Sequence, residues 1–200
     1  MSDRAGDGRR GHPGRTLAIL AALFLVPVVA AVVLYYDSSW RPSEHTNHGR
    51  LIEPPRPLPQ VPLVRADGTG ASATLLTGKW SLVYVGDARC DAACHQALYV
   101  MQQNFLGLGD DMPRVQRLFL ATAHCCDGSS GVGAYPGMIT LNASTPAAQR
   151  LLQAFPARAR ASTIFVVDPL GNLMMRFDAS TNSTDLITDL RMLLSLSNIG

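Results

Sequence analysis

The chain has 200 residues, 47% of them hydrophobic and 16% charged, which is too apolar for disorder and fits one domain of ordinary size with attachments. The formal charge is +2, and residues 1–15 hold Arg4, Arg9, Arg10 and Arg15 against Asp3 and Asp7, so the rest of the chain is balanced. A balanced domain excludes nucleic acid as an expected partner. Lys79 is the only lysine, an arginine bias that points to a GC-rich bacterial gene.

The run Thr16–Tyr36 carries no charge, and a helix of about 20 residues spans a hydrocarbon core of roughly 30 Å. Pro27 is tolerable within lipid, and Tyr35, Tyr36 and Trp40 fit an interfacial belt. A cleaved signal peptide has a shorter apolar core and ends at small residues, whereas this run ends in VVLYY. The expectation is therefore an uncleaved single-pass transmembrane helix over 16–36. Four arginines precede it and only Arg41 and Arg50 follow closely, which leaves the tail 1–15 in the cytoplasm and the large domain in the periplasm of a bacterial inner membrane. Six of the 13 prolines fall between Pro42 and Pro62, so residues 37–60 are expected to form an extended tether rather than helix or sheet. His45 and His48 lie in that tether, where no fixed geometry would make them metal ligands.

Beyond the tether, Val61–Arg65 and Ala71–Leu76 flank the turn-like ADGTG and read as a small hairpin. Trp80–Val85, bounded by Gly78 and Gly86, reads as a buried strand. Cys94, Leu98, Met101, Phe105 and Leu108 then recur on one face of a helix starting near Asp91. Val115–Thr122 reads as a second strand, followed by a glycine-rich loop over Ala123–Gly137, a short strand Met138–Leu141 and a helix Pro146–Phe155. Two βα units in tandem imply parallel strands. Thr163–Asp168 and Leu173–Phe177 form a hairpin about DPLGN, and Thr184–Ser197 closes the chain as a helix. The expected fold class is α/β, a mixed central sheet flanked by helices over residues 61–200.

The four cysteines, Cys90, Cys94, Cys125 and Cys126, all lie in this domain, in a compartment where disulfides persist. Cys90 and Cys94 are four apart at the start of a helix, close enough to act as dithiol, disulfide or ligands of one soft metal ion. A helix N-terminus favours thiolate, and Arg89 would add to that effect.

At these residues the segment GKWSLVYVGDARCDAACHQAL resembles the Sco/SenC proteins, membrane-anchored thioredoxin-like factors in cytochrome c oxidase assembly. Cys90 and Cys94 stand at the two positions of that family's C-x-x-x-C motif, the order of anchor, tether and βαβαββα domain is similar, and TIFVVDPLGN looks like its later hairpin. The resemblance implies a thioredoxin-like fold and copper, Cu(I), held by the motif cysteines with a histidine just before the hairpin strand, for delivery to the oxidase. Here ARARASTIFVVD contains no His, with Arg158 and Arg160 in that place, and no Pro directly precedes Thr163.

Other donors are available for a third ligand. His95 follows Cys94 but points about 100° away from it on a helix. His124 lies in the loop after the second strand, which in a parallel pair emerges at the same edge as Cys90, so Cys90, Cys94 and His124 would form a Cys2His set suited to Cu(I). Cys125 and Cys126 are adjacent, with α-carbons about 3.8 Å apart, too close for an ordinary disulfide; they are expected to be free, metal-bound, or paired one at a time with Cys90 or Cys94. Met174 and Met175 alternate faces of a strand, so at least one belongs to the core. Three functions follow: a copper-handling factor that passes Cu(I) to an oxidase subunit, a thiol–disulfide reductase with Cys90 attacking and Cys94 resolving, or a non-catalytic scaffold. The partner is an oxidase subunit or another copper or thiol protein.

Overall fold

The structure, a computed structural model, describes residues 13–36, 47–125, 131–180 and 183–199. The chain divides into two compact units between His45 and Thr46.

In the first unit α1 (Pro13–Tyr36) is one helix with Pro27 inside it. The stretch Leu17–Leu34 is apolar on every face, and it is long and apolar enough to cross a membrane. Residues 1–12 of the expected tail, the tether residues 37–46 with His45 and Trp40, and Cys126 lie outside the described residues.

In the second unit the described strands form one eight-stranded sheet. They are β1 (Arg50–Pro57), β2 (Leu63–Arg65), β3 (Gly70–Ala71), β4 (Trp80–Asp87), β5 (Val115–Ala123), β6 (Ile139–Asn142), β7 (Thr163–Val167) and β8 (Asn172–Asp178), in the spatial order β1-β8-β7-β4-β5-β6-β2-β3. As the sequence order implied, β4, β5 and β6 run parallel; β7, β8 and β1 run antiparallel on one side, and β2 and β3 on the other. The helices are α2 (Ala92–Leu106), α3 (Pro146–Ala154) and α4 (Ser183–Leu196).

Alternation along β4 sorts the core into two layers. Trp80, Leu82 and Tyr84 pack with Leu98 and Met101 of α2 and Leu186, Leu190 and Leu194 of α4. Val83 and Val85 pack on the opposite face with Leu151 and Leu152 of α3 and with Phe155. A strand covered on both faces reads as a continuous apolar run, which is why WSLVYV stands out. Each buried Leu or Val contributes about 1.5–3 kcal/mol. Met175 is buried in the first layer and Met174 packs against it.

Three expectations are corrected here. The proline-rich segment is not a free tether throughout: Arg50–Pro57 pairs with β8, and Leu58 and Val61 are buried. Proline is admitted because β1 is an edge strand whose register shifts between Leu51 and Arg56. His48, taken for a linker residue, bonds through Nδ1 to Asp189 of α4 at 3.0 Å, and the same carboxylate accepts the Gly49 N–H at 2.8 Å. The hairpin before β4 forms only as the short β2–β3 pair, and residues 73–76 are turns.

Candidate functional site

The C-terminal ends of β4 and β5 form the rim on which the sulfurs sit. β4 ends at Asp87, and Asp91 caps α2 by accepting the Cys94 N–H at 2.9 Å. Such a cap is worth about 1 kcal/mol. Between them Ala88 N–H bonds to Ala123 at the end of β5, and Arg89 N–H bonds to the Asp87 carboxylate at 3.0 Å. Asp87 is thereby held below the usual carboxylate range, first by the Arg89 N–H and then by His124.

Cys90 and Cys94 are joined in a disulfide with α-carbons 5.1 Å apart. They do not meet as two residues of one helical face. The helix begins at Ala92, and Cys90 precedes the cap with φ +52°, the left-handed region that folds it back over the first turn. A non-glycine residue held there costs about 1–3 kcal/mol, and such positions cluster at functional sites. Both cysteines are buried, so access to the sulfurs is controlled by the surrounding loops.

Those loops are tied down by histidines. His124, directly after β5, also has a positive φ, +50°, and its Nδ1 lies 2.9 Å from both carboxylate oxygens of Asp87. The parallel β4–β5 pair thus brings His124 to the rim as expected, and its first partner is Asp87. Among the described residues no three His, Cys, Asp or Glu side chains converge on one metal position. His95 faces the turn Gly131–Ala134: Tyr135 Oη donates to the His95 carbonyl at 3.0 Å and lies 3.1 Å from His95 Nδ1. With its proton on the carbonyl, the hydroxyl accepts from Nδ1, which leaves Nε2 as the acceptor nitrogen. A Cβ on Gly131 would come within 3.1 Å of Cys90 Cβ and 3.2 Å of His95 Cε1, so this turn lies directly against the disulfide.

Beneath the rim, Tyr84 is fully buried and stacks on Phe119. Burial, with the nearby Asp91 charge, pushes its hydroxyl up to about 12. Cys125 is buried in the same cluster as Cys90, Cys94 and Val132. Of the three alternatives expected for it, pairing with Cys90 or Cys94 is excluded, because those two are bonded to each other. Arg89 is exposed. The loop is also held from below. Arg117 on β5, buried between layers, donates to Gln102 of α2 and to the Pro136 carbonyl at 2.6 Å, with its guanidinium over the Phe105 ring. Neither this strut nor Tyr135 announced itself in the sequence, since their partners are far away along the chain.

The remaining site-forming segment precedes β7. There Arg160 donates to the Leu152 and Phe155 carbonyls, closing the C-terminal end of α3. It is a helix cap.

Fold and rim together define a thioredoxin-like domain carrying a C-x-x-x-C disulfide at the start of its first covering helix. The chain belongs to the family described as transmembrane-like, thioredoxin-like, C-terminal domain, whose model matches residues 80–197, more than half its length. Among solved structures it is similar to apo Sco1 from Thermus thermophilus, at 21% identity over 76% of this chain and 99% of that one, with a TM-score of 0.61. It is also similar to yeast Sco1 with copper bound, at 14% identity over 70% and 94% of the two chains, TM-score 0.60. A third is BsSco, reported with a disulfide switch as a member of the Sco family of cytochrome c oxidase assembly proteins, at 16% identity over 74% and 100%, TM-score 0.53. These likenesses show a shared fold. No curated protein sequence matches the chain.

Proposed function

We propose that this protein is a membrane-anchored factor in cytochrome c oxidase biogenesis, with its domain in the periplasm, that handles Cu(I) as cargo through Cys90 and Cys94. The observation that carries the reading is the pair itself: two sulfurs bonded to each other at a helix N-terminus on a Sco-type fold. Once an external dithiol supplies two electrons and two protons, itself becoming a disulfide, the Cys90–Cys94 bond opens, and the two sulfurs, deprotonated on binding, offer the soft donors that select Cu(I). His124 is the third donor in this reading. Its Nδ1 is held by Asp87, the carboxylate–histidine arrangement that orients metal-binding imidazoles and leaves Nε2 for the ion. Handover to an oxidase subunit then proceeds by ligand exchange with no change in copper oxidation state. The orientation rests on the arginine bias ahead of α1.

The disulfide also supports a second reading, a thiol–disulfide reductase for the oxidase's copper-binding cysteines. Cys90 thiolate attacks the partner disulfide and releases one partner thiol; Cys94 then attacks the mixed disulfide, releases the other thiol and regenerates the Cys90–Cys94 bond. Anaerobic titration of the reduced chain in detergent separates the two. The first reading expects one Cu(I) per chain, lost in Cys90→Ser and weakened about tenfold in His124→Ala. No Cu(I) uptake, together with a mixed disulfide trapped on Cys94→Ser, would replace it with the second.

A further inference from the structure

Away from the sulfurs, a cavity of about 330 Å³ opens among the start of β1, the end of β8, the turn Ala157–Ser162 and the first turn of α4. Arg50, Arg158, Arg176, His48, Asp178 and Asp185 line it. Arg50 and Arg176 are direct cross-strand partners in the β1–β8 pair, a placement in which like charges repel. Arg158 adds a third guanidinium from the turn.

Elsewhere Arg114, Arg117, Arg160 and Arg191 each donate to carbonyl oxygens. Among the described residues none of the three cavity arginines makes a side-chain hydrogen bond or an ion pair within 4.0 Å. The carboxylates in the lining offset them only in part. Asp178, held low chiefly by hydrogen bonds from Ser180 and also by the Arg50 charge, and Asp185 offset two of the three guanidinium charges, which leaves the lining an excess of one positive charge. His48 is engaged by Asp189.

We propose that this cavity binds a phosphate-class oxyanion through Arg50, Arg158 and Arg176. Guanidinium forks match phosphate oxygens in paired hydrogen bonds. Three forks from three separate elements suit a tetrahedral anion with three or four acceptor oxygens better than a two-oxygen carboxylate. Bound phosphate offsets the positive charge, including the Arg50–Arg176 repulsion, that the lining carboxylates balance only in part. The ion can be free phosphate or the phosphate of a lipid headgroup.

The test is calorimetric titration of the full chain in dodecyl maltoside with inorganic phosphate, in dilute chloride buffer. One phosphate per chain is expected, with affinity reduced about tenfold or more in Arg158→Gln and in Arg176→Gln, increased in Asp185→Asn, and unchanged in Cys90→Ser. Arg176→Gln should also melt higher than the parent chain in phosphate-free buffer, because it removes the repulsion, yet lose the rise in Tm that phosphate gives the parent. In phosphatidylglycerol nanodiscs, a headgroup ligand abolishes the phosphate titration, and a free-phosphate ligand leaves it as in detergent. No saturable binding in detergent, or equal binding by the Arg158→Gln/Arg176→Gln double variant, would overturn the proposal.

Discussion

Two short segments reach the same end of the sheet from either side of β4. One is the turn from Asp87 to Asp91 after β4 itself. The other is the turn Ala157–Ser162 ahead of β7, which runs antiparallel to β4 with Ile164 opposite Tyr84. The first holds a left-handed cysteine, a buried disulfide and a carboxylate–histidine pair. The second directs Arg160 backward onto the carbonyls of α3 and Arg158 into a charged cavity. Position at this end of the sheet therefore does not by itself decide what a segment does. The first segment joins a left-handed backbone at Cys90 to a buried disulfide, while the second closes the end of α3 through Arg160 and leaves Arg158 in the lining of the cavity.

The largest expected difference between the two lies in function. Cys90→Ser should abolish Cu(I) uptake. It should also lower the stability of the oxidised chain by about 2 kcal/mol, the chain-entropy value for so small a loop, read as a shift in urea midpoint that vanishes when both chains are reduced. A shift that persists under reducing conditions would mean that packing of Cys90, not its bond, matters.

Arg160→Ala tests the other segment. Its guanidinium makes three hydrogen bonds to carbonyls at the end of α3, and charge-assisted bonds of this kind are worth about 2 kcal/mol in all once solvation is counted. The unfolding free energy read from the urea midpoint should fall by that amount while Cu(I) stoichiometry and thiol alkylation rate stay at parental values. Loss of Cu(I) binding in this variant would mean that the two turns act as one site.

How far this division could be read from sequence depended on whether the cause was local. β4 was legible because burial on both faces leaves an unbroken apolar run, and the α2 stripe because it repeats at helical spacing. The cysteine spacing marked the candidate pair, but not the positive φ of Cys90 with which the sulfurs meet, nor the Asp91 cap and the Ala88–Ala123 bond on either side of it. β1 was hidden for the opposite reason. Its prolines signal extended chain without partners, and what pins it is Asp189, 140 residues further on. Asp87 and His124, 37 residues apart, gave no pattern either. The role of Arg160 follows only from where α3 ends.

A smaller effect separates the disulfide from its cover. Gly131 lies so close to Cys90 and His95 that an added methyl must displace the turn by a few tenths of an ångström. Gly131→Ala should cost about 1 kcal/mol by overpacking and, by lifting the turn, speed reduction of the Cys90–Cys94 bond by a small thiol such as dithiothreitol. Slower reduction would show that the turn already stands clear of the sulfurs and that access runs past His124.

The smallest effect concerns the other edge of the sheet, where His48 and Gly49 lead into β1. The imidazole of His48 is raised above its ordinary value of 6.5, chiefly by its hydrogen bond to Asp189; desolvation opposes this, and the Asp189 and Asp185 charges add smaller contributions that raise it. A raised folded-state value means that the His48 contribution is complete below pH 6.5 and is lost as pH climbs through the folded-state value. Amide exchange at Gly49 and Leu51, corrected for its intrinsic base dependence, should therefore accelerate above neutrality, and in His48→Gln this extra acceleration should disappear. The change is partial in either case, because Asp189 still accepts the Gly49 N–H. Persistence of the acceleration in His48→Gln would assign it instead to Asp189 itself, the group that both bonds share.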